Sequence, residues 1–156
     1  MTSDKEKKYV NLRHYPPFPH VGVGILLVRD SKLLLVKRKF DPDAGYWSIP
    51  GGHLELGERT IHAAEREGFE ETGFKVKVVK LAGLIDKIMY DKNEKIEYHY
   101  VLINYFVEQI GGDPNQAPTP DSDALEAKFV PFEDLKSYSL TDSLIELLKD
   151  LKIGYE

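Results

Sequence analysis

Residues 52–74, GHLELGERTIHAAEREGFEETGF, hold the reading that decides the fold. A helix opening near Arg59 or Thr60 and closing at Gly73 advances about 100° per residue. Glu67, Glu70 and Glu71 then stand at i, i+3 and i+4, so their carboxylates leave one side of the helix. Like charges at that spacing repel, and Arg66, which suits Glu70, cannot neutralise all three. A divalent cation can. Oxygen-only donors suit Mg²⁺ or Mn²⁺, and the chain has no cysteine to favour a softer ion.

The neighbouring face carries Ile61, Ala64, Gly68 and Thr72. Small and mostly apolar, it is expected to pack on a sheet, most closely at Gly68, which has no side chain to hold the backbones apart. Upstream, Trp47-Ser48-Ile49-Pro50-Gly51-Gly52 reads as a short strand breaking into a turn. The Gly51 carbonyl could face the cation, and Gly73 reads as the residue that ends the helix.

A lone Glu-x-x-Glu-Glu is usually a solvated charged face. Here Gly52, Glu58, Arg66, Glu67, Glu70, Glu71 and Gly73 occur together at fixed offsets. At average residue usage that coincidence arises by chance on the order of once in a million. The stretch resembles the Nudix box, G-x5-E-x7-R-E-U-x-E-E-x-G-U with U apolar, and departs from it only at Gly68, where the family usually has a bulkier apolar residue. This departure concerns packing, at a cost of about 1 kcal/mol of helix propensity.

The resemblance implies metal-dependent hydrolysis of a nucleoside diphosphate linked to another moiety. It assigns Glu67 and Glu71 as principal metal ligands, with Glu70 and the Gly51 carbonyl as further ligands. Glu67, Glu70 and Arg66 fall in the catalytic set. Glu58 and Arg66 orient the cluster, and Gly52 and Gly73 support it. A further carboxylate is expected from outside the box, Glu126 first and Asp123 second, with Asp121 also in reach of that loop.

At 156 residues and 42% hydrophobic content the chain suits one domain, read as residues 18–156 behind an N-terminal extension over 1–17. The start, Met1 to Lys8, lacks the apolar core of a signal peptide, and no apolar run is long enough to span a membrane. A cytoplasmic enzyme is expected, the absence of cysteine being compatible with that compartment. The net charge of −5 argues against nucleic acid as a partner.

Val21–Val28 and Leu33–Val36 read as a hairpin, residues 75–79 as a half-exposed strand, and Glu97–Val107 as a strong strand. Residues 111–123 are too rich in glycine and proline for regular structure. Ala127–Val130 is strand-like, and Thr141 or Asp142 caps a last helix that turns Leu144, Ile145, Leu147, Leu148 and Leu151 inward. This order predicts an α/β fold with a mixed sheet between helical layers, matching the Nudix α/β/α sandwich.

For substrate, Tyr46-Trp-Ser-Ile-Pro-Gly-Gly, the strand from His99 to Phe106 and the acidic loop before Phe129 look most like ADP-ribose pyrophosphatase-type members. Such an enzyme would cut ADP-ribose to AMP and ribose 5-phosphate. Many of those enzymes carry a proline shortly after the box, yet none occurs here between Gly73 and Pro114. Tyr90 keeps diadenosine polyphosphates open as the alternative substrate, with nucleoside triphosphates also weighed. A non-catalytic nucleotide-sensing module is the reading from another class. It is disfavoured because no box carboxylate is lost.

An adenine ring needs an aromatic or arginine face, for which Tyr15, Phe18, Tyr46 and Tyr105 are the candidates. The extended segment Arg13–Pro19 could cap the nucleotide site or cross to a partner subunit in a homodimer, a packed tail being the simpler reading. His53 beside Gly52 is read as a hydrogen-bonded structural residue rather than a ligand.

Overall fold

The computed structural model describes residues 12–155. Most of the expected extension over residues 1–17, with the reading of its first eight residues, lies outside them. The two apolar runs form β1 (His20–Arg29) and β2 (Lys32–Arg38). Asp30 and Ser31 join them at φ 51° and 58°, the positive angles of a type I′ hairpin turn, whose twist matches that of the strands. The remaining elements are β3 (Trp47–Ser48), β4 (Gly51–His53), α1 (Thr60–Thr72), β5 (Val76–Tyr90), β6 (Ile96–Gln109) and β7 (Ala124–Pro131), then a 3₁₀ turn (Phe132–Ser137) and α2 (Asp142–Leu151).

The sheet runs β3-β2-β1-β6-β5, with β4 on β1 and β7 on β2. Only β1 and β6 pair in parallel, so the sheet is mixed, as expected. Side chains alternating along the strands feed two cores. Val23, Ile25, Leu27 and Leu34 meet Ala63 and Ala64 of α1 on one face. Leu26, Leu33, Leu35 and Ile85 meet Leu144, Leu147 and Leu148 of α2 on the other. The α/β/α sandwich follows from that alternation.

Three readings change in detail. β5 runs on to Tyr90 rather than stopping near residue 79. It is paired along its length to β6, with register shifts at Val78/Lys80, Leu81/Gly83 and Met89/Tyr90, and each shift resets the alternation by which a strand is recognised. β7 likewise starts at Ala124, not Ala127. On α1, Ile61 is 45% exposed, and Ala63 takes its expected place in the core. Gly68 does pack closely, since a Cβ there would stand 2.7 Å from Ile25 Cδ1. Thr141 caps α2 as read, its hydroxyl accepting the Leu144 N–H at 3.3 Å. Among the described residues no helix is long and apolar enough to cross a membrane.

Candidate active site

α1 ends where the box requires. Gly73 lies at φ 77° and its N–H donates to Phe69 O at 2.8 Å, a left-handed stop that suits glycine. The loop after β6 then docks on this end, Thr119 N–H donating to Thr72 O at 2.9 Å and Asp121 N–H to Glu71 O at 3.2 Å. Carbonyls that a helix end leaves without partners are thereby satisfied. The same docking fixes the path of the chain into Asp123.

β4 passes under the carboxylates of α1. A Cβ at Gly52 would overlap the carboxylate of Glu67, and one at Gly51 would overlap the Val23 carbonyl. Glycine is therefore required at both places for contact, not for an unusual backbone angle. The Gly51 N–H donates to Glu71 Oε1 at 2.9 Å.

Arg66 organises the outer side of the cluster. Its Nε and Nη2 donate to Glu58 at 2.7 and 3.0 Å, its Nη1 to Glu67 at 2.8 Å and to Glu70 at 3.3 Å, and Nη2 also reaches His53 O at 3.1 Å. Glu58, rather than Glu70, is thus its main partner, and this pairing holds the Glu58 carboxyl below its usual range. Arg66 does not bond Glu71.

Burial pushes Glu67 up to about 7, opposed by Arg66 and reinforced by the charges of Glu70 and Asp123. Burial pushes Glu71 up to about 8, opposed by the Gly51 N–H and reinforced by Glu67 and Asp123. Desolvation and like charge act together on these two carboxyls. Among the described residues no three acidic or imidazole side chains converge on one point, because Arg66 draws Glu67 and Glu70 while Gly51 holds Glu71. The donors nevertheless fit a hard divalent cation. They are all oxygen, two are mostly buried, and Glu71 makes no ion pair among the described residues, the charge of Arg38 only partly opposing the effect of its burial.

A cavity of about 460 Å³ opens beside Glu71 and Asp123. Gly22 and Gly24 of β1 carry no side chain into it, and Leu144 and Leu147 of α2 close its far wall. Its rings are His14, Phe40, His53, Tyr98 and Tyr100, and its charged walls include Arg13, Arg38 and Lys87. His53 is held neutral by burial, its pKa lowered to about 3, and its Nε2 lies 3.3 Å from the Tyr100 hydroxyl.

The aromatics selected from the sequence lie elsewhere. Tyr15, Phe18, Tyr46 and Tyr105 are all absent from the cavity wall. Tyr15 donates instead to Asp91 at 2.6 Å. Phe18 and Tyr46 are solvent-exposed, and the Tyr105 hydroxyl lies 2.7 Å from Thr60 Oγ1 on the α1 face. Along β6 the residues of the other parity, Tyr98, Tyr100, Leu102 and Asn104, face the cavity. The one signal in the sequence was Asn104, a polar residue within an apolar strand, now buried at 5% exposure with its Nδ2 3.3 Å from Gly83 O.

Of the two acids outside the box, Asp123 lines the cavity. Glu126 is exposed on β7 and pairs with Lys37 at 3.6 Å. The described part of the N-terminal segment is packed, Tyr15 N–H donating to Glu97 O at 2.8 Å and His14 Nε2 lying 3.0 Å from Glu97 Oε1. It sets Arg13 and His14 into the cavity wall.

The NUDIX domain family model matches residues 18–151. An ADP-ribose pyrophosphatase of Methanocaldococcus jannaschii is 33% identical over 135 residues, covering 85% of this chain and 75% of that protein. The crystal structure of a MutT Nudix hydrolase from Burkholderia pseudomallei superposes with a TM-score of 0.70 at 29% identity, over 85% of this chain and 97% of that one. A bifunctional NMN adenylyltransferase/ADP-ribose pyrophosphatase from Francisella tularensis, complexed with AMP and a Mn ion, shares the fold at 22% identity and a TM-score of 0.63, over 95% of this chain and 45% of that one. With the box, the sandwich and the family match in agreement, the chain belongs to the Nudix hydrolases, pyrophosphatases that act on nucleoside diphosphate derivatives with the help of divalent metal ions.

Proposed function

We propose that this protein hydrolyses ADP-ribose to AMP and ribose 5-phosphate, with Mg²⁺ or Mn²⁺ as the metal. The observation that carries this reading is the cavity that joins Glu71 and Asp123 to walls of Phe40, Tyr98 and Tyr100. Its polar end suits a diphosphate and its aromatic end a base or ribose, in a volume fit for a ligand of that size. The identity to the Methanocaldococcus jannaschii ADP-ribose pyrophosphatase supports the same substrate. Tyr90, which argued for diadenosine polyphosphates, is exposed and stands apart from the cavity wall.

Glu67 and Glu71 would hold the metal, with Glu70 and the Gly51 carbonyl as further ligands. When bound, the ion neutralises diphosphate charge and acidifies a water. Arg66, fixed by Glu58, holds Glu67 against Gly52 and so sets where the carboxylates stand. Asp123, on the cavity wall beside Glu71, would take the proton as the water oxygen bonds to phosphorus and the bridging P–O bond breaks. A half-enclosed cavity limits competing water and strengthens each charge interaction within it.

The test is a panel of ADP-ribose, diadenosine polyphosphates and nucleoside triphosphates at equal concentration with Mg²⁺ or Mn²⁺, with products separated by chromatography. ADP-ribose should give the highest kcat/KM, with AMP and ribose 5-phosphate in equal amounts. A higher value for either other class would overturn the substrate assignment.

A further inference from the structure

Asn104 is a buried amide with only one half in use. It stands on β6 opposite Gly83, where the pairing of β5 shifts by one residue at Ala82, and it is 5% exposed. Its Nδ2 donates to Gly83 O at 3.3 Å and to Leu102 O at 3.5 Å. Both partners are carbonyls, which only accept, so the amide must turn its NH₂ toward them and its oxygen the other way. Oδ1 lies over Gly24 of β1, where a Cβ would stand 2.5 Å from it and 2.9 Å from Ile49 Cδ1. Glycine at position 24 thus leaves the room that this oxygen occupies.

Among the described residues Oδ1 accepts no hydrogen bond, and none of their sealed side-chain polar atoms lacks a partner. Oδ1 therefore opens on the cavity that Asn104 and Gly24 both line. The neighbouring wall is apolar, formed by Ile49, Leu102 and Leu147. A lone acceptor in such a wall is costly when nothing meets it. It fits a ligand that is flat and apolar there and offers a single donor. A ribose, with hydroxyls on adjacent carbons, does not match that description, whereas the edge of an aminated base does.

Position agrees with the chemistry. Gly51, Gly24 and Asn104 are register partners across β4, β1 and β6, so Asn104 stands about 10 Å, two strand spacings, from Gly51. The Gly51 N–H holds Glu71. That separation suits the base, beyond the ribose, of a nucleotide whose diphosphate lies by Glu71. We propose that Asn104 selects the base, its Oδ1 accepting a hydrogen bond from the exocyclic amine of adenine. Hypoxanthine carries a carbonyl in place of that amine, so two acceptors would face each other. The assignment rests on the adenine nucleotide reading above and names the atom that separates this substrate from its deaminated counterpart.

The experiment is calorimetric titration of the full chain with AMP and with IMP in the presence of Mg²⁺. The wild type should bind AMP about tenfold or more tighter than IMP, because the site rejects a ligand that leaves its buried acceptor unpaired. Asn104→Leu should bind the two within about threefold of each other, AMP having lost its partner and IMP its repulsion. A merely structural role would weaken both alike and leave their ratio unchanged. Asn104→Asp, which keeps an acceptor at that place, should keep the preference. Equal affinity of the wild type for AMP and IMP, failure to bind either, or an unchanged ratio in folded Asn104→Leu would overturn the proposal. Should Asn104→Leu not fold, loss of the preference in Asn104→Asp would overturn it equally. An AMP preference carried by Asn104 in a protein that does not hydrolyse ADP-ribose would uphold the role of Asn104 and reject only the substrate assignment; turnover of ADP-ribose without an AMP preference would do the reverse.

Discussion

Replacing Gly68 with alanine sets two effects of known size against each other. The added Cβ would stand 2.7 Å from Ile25 Cδ1 and 3.4 Å from Val76 Cγ2, with Ile25 fully buried. Helix propensity favours alanine by about 1 kcal/mol, while overpacking a filled core costs about 1–3 kcal/mol. Gly68→Ala alone should therefore destabilise by about 1 kcal/mol. Ile25→Val removes the Cδ1 that the new methyl would meet, at a cost of about 0.5–1.5 kcal/mol by itself. In the double variant the overlap is gone and the propensity gain remains, so it should be about 1–2 kcal/mol more stable than the sum of the singles. Urea unfolding of the four proteins measures this coupling directly. Additivity within about 0.3 kcal/mol would refute the reciprocal packing of Gly68 and Ile25. The space that a side chain at position 68 would enter is thus occupied by Ile25 of β1.

Further outcomes follow from the same contacts. Gly52→Ala should displace the Glu67 carboxylate that lies over it, lowering kcat at least about tenfold while the thermal midpoint changes little; unchanged kcat would show that Glu67 need not lie there. Asp123→Asn should reduce kcat by about 100-fold or more and Glu126→Gln by less than a few fold, and the reverse order would return the role to Glu126. Glu58→Gln should cost about 1.5–3 kcal/mol at pH 7, the range for a charged hydrogen bond. Because Arg66 lowers the folded-state pKa of Glu58, this stability is present above the ordinary glutamate pKa and is lost as pH falls through the folded value. The gap between wild type and Glu58→Gln in urea should accordingly shrink on acidification, and a gap that is constant from neutral to acidic pH would contradict the pairing. Mg²⁺ should raise the melting temperature of the wild type but not of Glu67→Gln/Glu71→Gln, by mass action on the folded state.

Much of the site could be read from spacing because the box is local. Glu67, Glu71, Arg66 and Glu58 lie within a stretch whose geometry is set by one helix and the strand beneath it. Gly51 and Gly52 were expected to serve a turn, yet their requirement comes from a carboxylate and a carbonyl that cross them. The non-local half was harder. Whether Tyr100 or Tyr105 faces the cavity depends on the parity of β6, and both parities of that strand are apolar because helices cover both faces of the sheet. Asp123 differs from Glu126 only through the docking of Thr119 and Asp121 on the end of α1, a contact across more than forty residues that no local pattern records. Arg38, between Lys37 and Lys39, carried no signal beyond a short cationic run at a strand end.

The most direct measurement is steady-state hydrolysis of ADP-ribose with saturating Mg²⁺ by the wild type, Glu67→Gln and Glu71→Gln, each shown to be folded by circular dichroism. Metal held by these two buried carboxylates should make each substitution lower kcat by about 100-fold or more, with the fold intact. Turnover within a few fold of wild type in both folded variants would contradict it.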